Sequence, residues 1–234
     1  MTEFSNNHSK MRSEQWTILV DLDGTLIDPL NGITGSYKAA LTDFGLPVPS
    51  DEVLKTFIGP PLRECLSQLL GSNDPRLVEQ GVQKYRHYYV NEKFMLRDRV
   101  YPGVETALVT LRESGYKLVI ATSKAQAYSI DILAHFNLGH HFASIYGSEL
   151  DGTRANKTEL IRFILDKEHL SARQCLMVGD RMHDVKGARE NGISCIGVTY
   201  GYGSEEELLT AGAAKLCPSM DRLPGIVALV VEGN

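Results

Sequence analysis

Short apolar runs that end in a small, hydroxylic or acidic residue alternate along this chain with longer stretches of helical period. That alternation restricts the fold more than any other feature. Residues 16–22, 116–122, 142–146, 174–179 and 193–198 are rich in Ile, Val and Leu, as strands buried on both faces of a parallel sheet must be. Residues 104–114, 125–136, 157–167, 185–191 and 205–211 carry helical spacing. The pattern predicts an α/β protein built on a doubly wound parallel sheet.

One interval breaks the alternation. From Leu30 to Val100 only helical periodicity appears, at 33–44, 62–70 and 77–94, punctuated by Pro47, Pro49, Pro60, Pro61 and Pro75. That is too long for a strand crossover, so it is an inserted all-helical unit. The expected organisation is a polar N-terminal tail over 1–14, a core of 15–29 with 98–234, and the insertion at 30–97. The tail lacks the apolar stretch of a secretory signal, and no apolar run approaches the length that spans a bilayer. With 43% hydrophobic residues over 234 positions, the chain can bury a core. Its 24 basic against 29 acidic residues disfavour binding to a nucleic-acid backbone, which needs a basic surface. Cys65, Cys175, Cys195 and Cys217 are far apart and form no Cys-x-x-Cys, so they read as buried thiols of a reducing, cytoplasmic environment. A monomer or a homodimer is expected.

Ligands of parallel sheets bind beyond the carboxyl ends of the strands. There the sequence places Asp21-Leu22-Asp23-Gly24-Thr25, then Thr122-Ser123-Lys124, and Gly179-Asp180-Arg181-Met182-His183-Asp184, while Lys157 opens the helix after the third predicted strand. A single Asp at a strand end is usually a turn residue. Asp21, Asp23, Asp180 and Asp184 converging on one edge would raise one another's proton affinity unless a cation neutralised them. Oxygen donors with room for water and phosphate suit Mg²⁺. Asp21 is then the nucleophile toward phosphorus, and Asp23 the acid that protonates the leaving alkoxide and later the base for water. Gly24 permits close backbone approach to phosphoryl oxygens. Thr122 offers a hydroxyl, and Lys157 a point charge against the transferring group. Asp184 has an alternative role in capping the helix at 185–191. Arg63 either holds a second anionic group of the substrate or lies on a helix surface.

These motifs, in this order, resemble the four motifs of the haloacid dehalogenase superfamily, from about Trp16 to the end of the chain. The resemblance implies a Rossmann-like core, a small helical cap, Mg²⁺, and a covalent phospho-Asp21 intermediate. It implies that Asp21 and Asp180 bind the metal by side chain and Asp23 by backbone carbonyl, with Asp184 in support, and that Gly24, Thr25, Ser123 and Arg63 contact substrate. Asp28-Pro29, Phe57-Ile58-Gly59-Pro60-Pro61-Leu62, Tyr101-Pro102-Gly103 and Gly201-Tyr202-Gly203 are most similar to the phosphoglycolate phosphatase group. Two departures bear on substrate: Ser123 stands where Asn is frequent and Arg181 where Ser is common. The expected activity is Mg²⁺-dependent hydrolysis of a small phosphorylated metabolite. The alternatives are a 5′-nucleotidase, a sugar phosphomutase, and a noncatalytic phospho-Asp sensor.

Other features receive plainer readings. Tyr85-Arg86-His87-Tyr88-Tyr89 winds around a helix and packs the cap. His140-His141 has no partner at metal-ligand spacing, and His183 no necessary role, so all three read as structural or solvated. Gly201-Tyr202-Gly203-Ser204 is a capping turn before the last predicted helix.

Overall fold

The computed structural model describes residues 15–233, so the tail expected over 1–14 lies outside the described residues. In chain order, β1 (Thr17–Val20) is followed by a short strand β2 (Ile27–Asp28) and four helices, α1 (Leu30–Asp43), α2 (Asp51–Lys55), α3 (Leu62–Leu70) and α4 (Pro75–Arg86). A wider π turn at His87–Asn91 and a 3-10 turn at Phe94–Arg97 lead to β3 (Arg99–Val100). The remainder is α5 (Val104–Glu113), β4 (Lys117–Ala125), α6 (Gln126–His135), β5 (Ser144–Ser148), α7 (Lys157–Glu168), β6 (Cys175–Gly179), α8 (Met182–Glu190), β7 (Ser194–Val198), α9 (Glu205–Ala211), β8 (Lys215–Cys217) and α10 (Leu223–Glu232).

Six strands form one parallel sheet in the order β5-β4-β1-β6-β7-β8. The period-two alternation of strand side chains sorts them onto two faces. Ile18, Val20, Leu118, Ile120, Leu176 and Val178 pack with Leu108 and Leu111 of α5, Ile132 of α6 and Val227 of α10. Leu19, Val119, Met177 and Cys195 pack on the opposite face with Leu160 and Ile164 of α7, Val185 of α8 and Leu208 of α9. The doubly wound expectation therefore holds. β1 lies where the winding changes direction, with β4 on one side and β6 on the other. Such a switch point opens a crevice beyond the strand ends. All four cysteines are free and buried, as expected of core thiols.

The helical segment leaves and re-enters the core through an antiparallel pairing of β2 with β3, Ile27 against Val100 and Asp28 against Arg99. Neither two-residue strand has enough length to show a period. β8 is similarly short, and the continuous apolar stretch of α10 fits a buried strand as well as a helix, so neither was expected. The helix expected over 77–94 ends at Arg86. Beyond it the widened turn keeps Tyr89 inside, its ring 5.4 Å from Tyr85, which stands 4.8 Å from Tyr37 of α1. The helix expected from Val185 begins at Met182, which places Asp184 in its first turn.

Candidate active site

All four residues of β1 are buried, and the Asp21 N–H donates to Val178 O at 2.9 Å. This extends the ladder one residue and delivers the Asp21 carboxylate to the crevice. The chain then reverses. Gly24 adopts φ +78°, a left-handed conformation that suits glycine, and its N–H donates to Ile27 O at 2.8 Å. The reversal brings Asp23 beside Asp21 on the wall of one cavity. There Asp23 Oδ2 pairs with Lys124 Nζ, which also lies 4.9 Å from the centre of the Tyr89 ring.

From the other side of β1, β6 ends at Gly179. A Cβ there would lie 2.2 Å from Asp184 Cγ, so any larger residue would expel that carboxylate. The Arg181 N–H donates to Asp184 Oδ2 at 3.1 Å. Asp184 thus serves the start of α8 and also reaches the acidic group. Asn156 caps α7, its Oδ1 accepting from Thr158 N–H at 2.9 Å, and this sets Lys157 at the first helical position. Lys157 is buried. Its Nζ donates to Ala121 O at 2.8 Å and stands 2.9 Å from Asp21 Oδ1 and 2.7 Å from Asp184 Oδ1.

Carboxylate oxygens of Asp21, Asp180 and Asp184, all buried, lie within 4.8 Å of one another. Burial pushes the Asp180 carboxyl well above the usual range, and Asp184 and Asp21 push the same way. Burial lifts Asp184 to about 6 against the opposing pull of Lys157. Burial alone would lower Lys157, but Asp184 and Asp21 outweigh it and hold the ammonium above its ordinary value. Asp180 Oδ2 accepts from Tyr202 N–H at 2.7 Å, whereas its Oδ1 has no hydrogen-bond partner among the described residues. Three buried carboxylates, two of them on one ammonium and the third with an oxygen left over, form a donor set that could hold a hard divalent cation. The Asp23 carboxylate is not one of the three; its partner is Lys124. Burial raises Asp23, and Lys124 opposes that rise.

From this floor Asp21, but not Asp180, Asp184 or Lys157, reaches the wall of a cavity of ≈ 390 Å³, lined also by Asp23, Thr122 and Ser123 from the core and by Tyr37, Phe57, Arg63 and Tyr89 from the helical segment. Arg63 sits at the rim, paired with Glu79 Oε2 at 3.0 Å and donating to Leu150 O at 3.3 Å. Gly24 and Thr25 are not among the lining residues. Gly24 packs so tightly on Asp180 that a Cβ would stand 2.1 Å from its Oδ2. Thr25 is fully buried, and its carbonyl accepts from Tyr200 OH at 2.9 Å.

Three groups at the site escaped the sequence reading. Lys124 could have been found by strand alternation, since it stands two residues beyond Thr122. Arg181 donates to Ile58 O at 2.6 Å and to Glu207 Oε1 at 2.9 Å, a link across 123 positions with no local signature. The Gly201-Tyr202-Gly203 turn does more than precede α9. Ser204 caps that helix by accepting from Glu207 N–H at 3.0 Å, while the turn itself embraces Asp180 through the Tyr202 amide.

A doubly wound sheet with paired acids at its switch point, beside a helical insertion, is the arrangement in which α/β enzymes bind their ligands at the carboxyl ends of the strands. The chain belongs to the haloacid dehalogenase-like hydrolase family, whose model matches residues 18–198. It is 46% identical over 206 residues, 88% of this chain and 92% of its relative, to a 5′-nucleotidase of Pseudomonas aeruginosa. Tyrosine-protein kinase PtkA of Mycobacterium tuberculosis is 36% identical over 80% of this chain, which spans 62% of that protein. A phosphoglycolate phosphatase of Vibrio cholerae is 29% identical over 83% of this chain and 88% of its own length. Among solved structures, a predicted phosphatase from Clostridium acetobutylicum superposes with a TM-score of 0.87 at 39% identity, covering 92% of this chain and 99% of that one. Among the described residues, no helix is long and apolar enough to cross a membrane.

Proposed function

We propose that the protein is a Mg²⁺-dependent phosphatase of small phosphorylated metabolites, working through phospho-Asp21, with residues 30–97 as a cap over the site. The observation that carries this reading is the group of buried carboxylates Asp21, Asp180 and Asp184, with Lys157 on Asp21 and Asp184, and Asp21 itself in the wall of the cavity. Asp21 and Asp180 would hold the ion by side chain and Asp184 would support them. Bound there, Mg²⁺ supplies the positive charge that lets carboxylates and a phosphate share one site.

An Asp21 oxygen attacks phosphorus, and the bond to the ester oxygen breaks. The leaving alkoxide takes a proton from Asp23, whose burial favours the protonated form. Water then attacks the phosphorus of phospho-Asp21, Asp23 accepts the proton, and inorganic phosphate departs with the Asp21 carboxylate restored. Lys157 holds Asp21 in place and balances charge on the transferring group. Thr122 and Ser123, in the wall of the cavity, would contact a phosphoryl oxygen.

Cavity size bears on the substrate. At ≈ 390 Å³ with Tyr37, Phe57, Tyr85, Tyr89 and Tyr128 in its walls, the space exceeds what a two-carbon phosphoester fills and suits a planar ring. This favours a nucleoside monophosphate over phosphoglycolate, in keeping with the nucleotidase named among the relatives. The test is phosphate release with Mg²⁺ over a panel of nucleoside monophosphates, phosphoglycolate and sugar phosphates, with ATP and a tyrosyl peptide beside them, compared by kcat/KM. Release of inorganic phosphate with a nucleotide preferred is the expected result. Isomerised sugar phosphate, or an acyl-phosphate that persists for minutes, would overturn it in favour of a mutase or a sensor.

A further inference from the structure

We propose that Glu105, His140 and His141 form a second divalent-cation site, for Zn²⁺ or a similar borderline ion, separate from the acidic group at the sheet edge. Sequence spacing gives the two histidines no partner at metal-ligand distance along the chain, and the fold brings Glu105 to them. Glu105 in the first turn of α5 meets the 3-10 turn Gly139–His141 that precedes β5, and one ligand atom of each residue lies within 4.8 Å of the others.

Three observations point to an ion. His141 Nε2 stands 3.3 Å from Glu105 Oε1. At that separation the pair can hydrogen-bond directly or share one ion. His141 is only 3% exposed, yet its Nδ1 has no hydrogen-bond partner among the described residues, an unusual condition for a buried polar atom. The His140 ring lies 3.9 Å from that of His141, and both His140 and Glu105 are exposed, free to swing in and close the group.

Donor chemistry separates the two sites. Two imidazoles and one carboxylate match Zn²⁺ and its neighbours, whereas the all-oxygen set of Asp21, Asp180 and Asp184 matches Mg²⁺. A bound ion would tie the start of α5 to the segment entering β5 and leave one position open to water. The proposal does not rest on the phosphatase reading.

The test is a Co²⁺ titration of the whole protein in excess Mg²⁺, followed by visible d–d absorption and then by displacement with Zn²⁺. Expected are saturation at one equivalent, a Zn²⁺-induced rise in Tm, and a loss of affinity of at least ~10-fold in His140→Ala and in Glu105→Gln. Both positions are exposed, so both variants should fold, and their Mg²⁺-supported phosphate release should equal that of the unmodified protein. Absence of Co²⁺ binding, or binding and Tm shift unchanged in both variants, would overturn the proposal.

Discussion

The floor of the cavity and its roof are held by different physics. The floor is an array of buried charges fixed by backbone geometry: β1 is flanked on both sides, Gly179 makes room for Asp184, and Lys157 touches two carboxylates and a carbonyl. The roof rests on apolar packing among Tyr37, Leu54, Leu66, Val82 and Tyr89. That packing is continuous with the core's own, Tyr89 meeting Tyr128 of α6 at 6.3 Å, and long polar side chains add to it: Arg181 on Ile58 O, Arg63 and Arg86 on Leu150 O, and Lys124 beneath Tyr89. Buried charge is costly to rearrange, while single hydrogen bonds are readily exchanged. The polar links are therefore the part of the join that a single substitution can loosen.

The sharpest way to break this division is at the floor. Asp21→Asn should lower turnover by at least ~10⁴-fold, as loss of a nucleophile does, while leaving the Tm within a few degrees; turnover within tenfold of the unmodified protein would remove Asp21 from its role. Next in size, Lys157→Met leaves Asp21 and Asp184 unpaired and should cost about 3–5 kcal/mol in urea unfolding under EDTA. Added Mg²⁺ should narrow the deficit, and equal stability in EDTA would show that the floor does not depend on that ammonium. At the roof, Arg181→Ala should reduce kcat/KM about tenfold, a loss of ~1.4 kcal/mol, chiefly through KM. A fall in kcat alone, with KM unchanged, would place Arg181 in the chemistry instead.

A last test, read as a slope against pH, concerns the join between the two. Asp98 accepts from Gly32 N–H at 3.0 Å and from Tyr89 OH at 3.4 Å, and burial raises its carboxyl to about 7 despite the nearby Lys124. Between about pH 4 and 7 the folded state therefore holds a proton that the unfolded state has released, and stability falls as pH rises, by at most ~1.4 kcal/mol per pH unit. Asp98→Asn should flatten that slope in urea unfolding at a series of pH values. An unchanged slope would assign the pH dependence to other groups.

Legibility followed the same division. The floor was readable because each acid sits where an apolar run ends, and strand periodicity says which ends share an edge. That logic reached Asp21, Asp23, Thr122, Lys157, Asp180 and Asp184. It did not reach Lys124, whose partner Asp23 is 101 positions away, nor the hold of the Tyr202 amide on Asp180. β2 and β3 were missed because two residues show no period, and α10 because an unbroken apolar run has two readings.

The order of strands and helices, the helical insertion and the acidic strand ends follow from local spacing, because a side chain's direction repeats every two or 3.6 residues whatever surrounds it. Tertiary structure alone decided which polar group meets which: Lys124 and Asp23, Arg181 and the Ile58 carbonyl, Glu105 and His141. These pairs join segments far apart in the chain, and burial from water strengthens the Lys124–Asp23 pair most. Neither the distance nor the dielectric around them is written in any stretch of sequence.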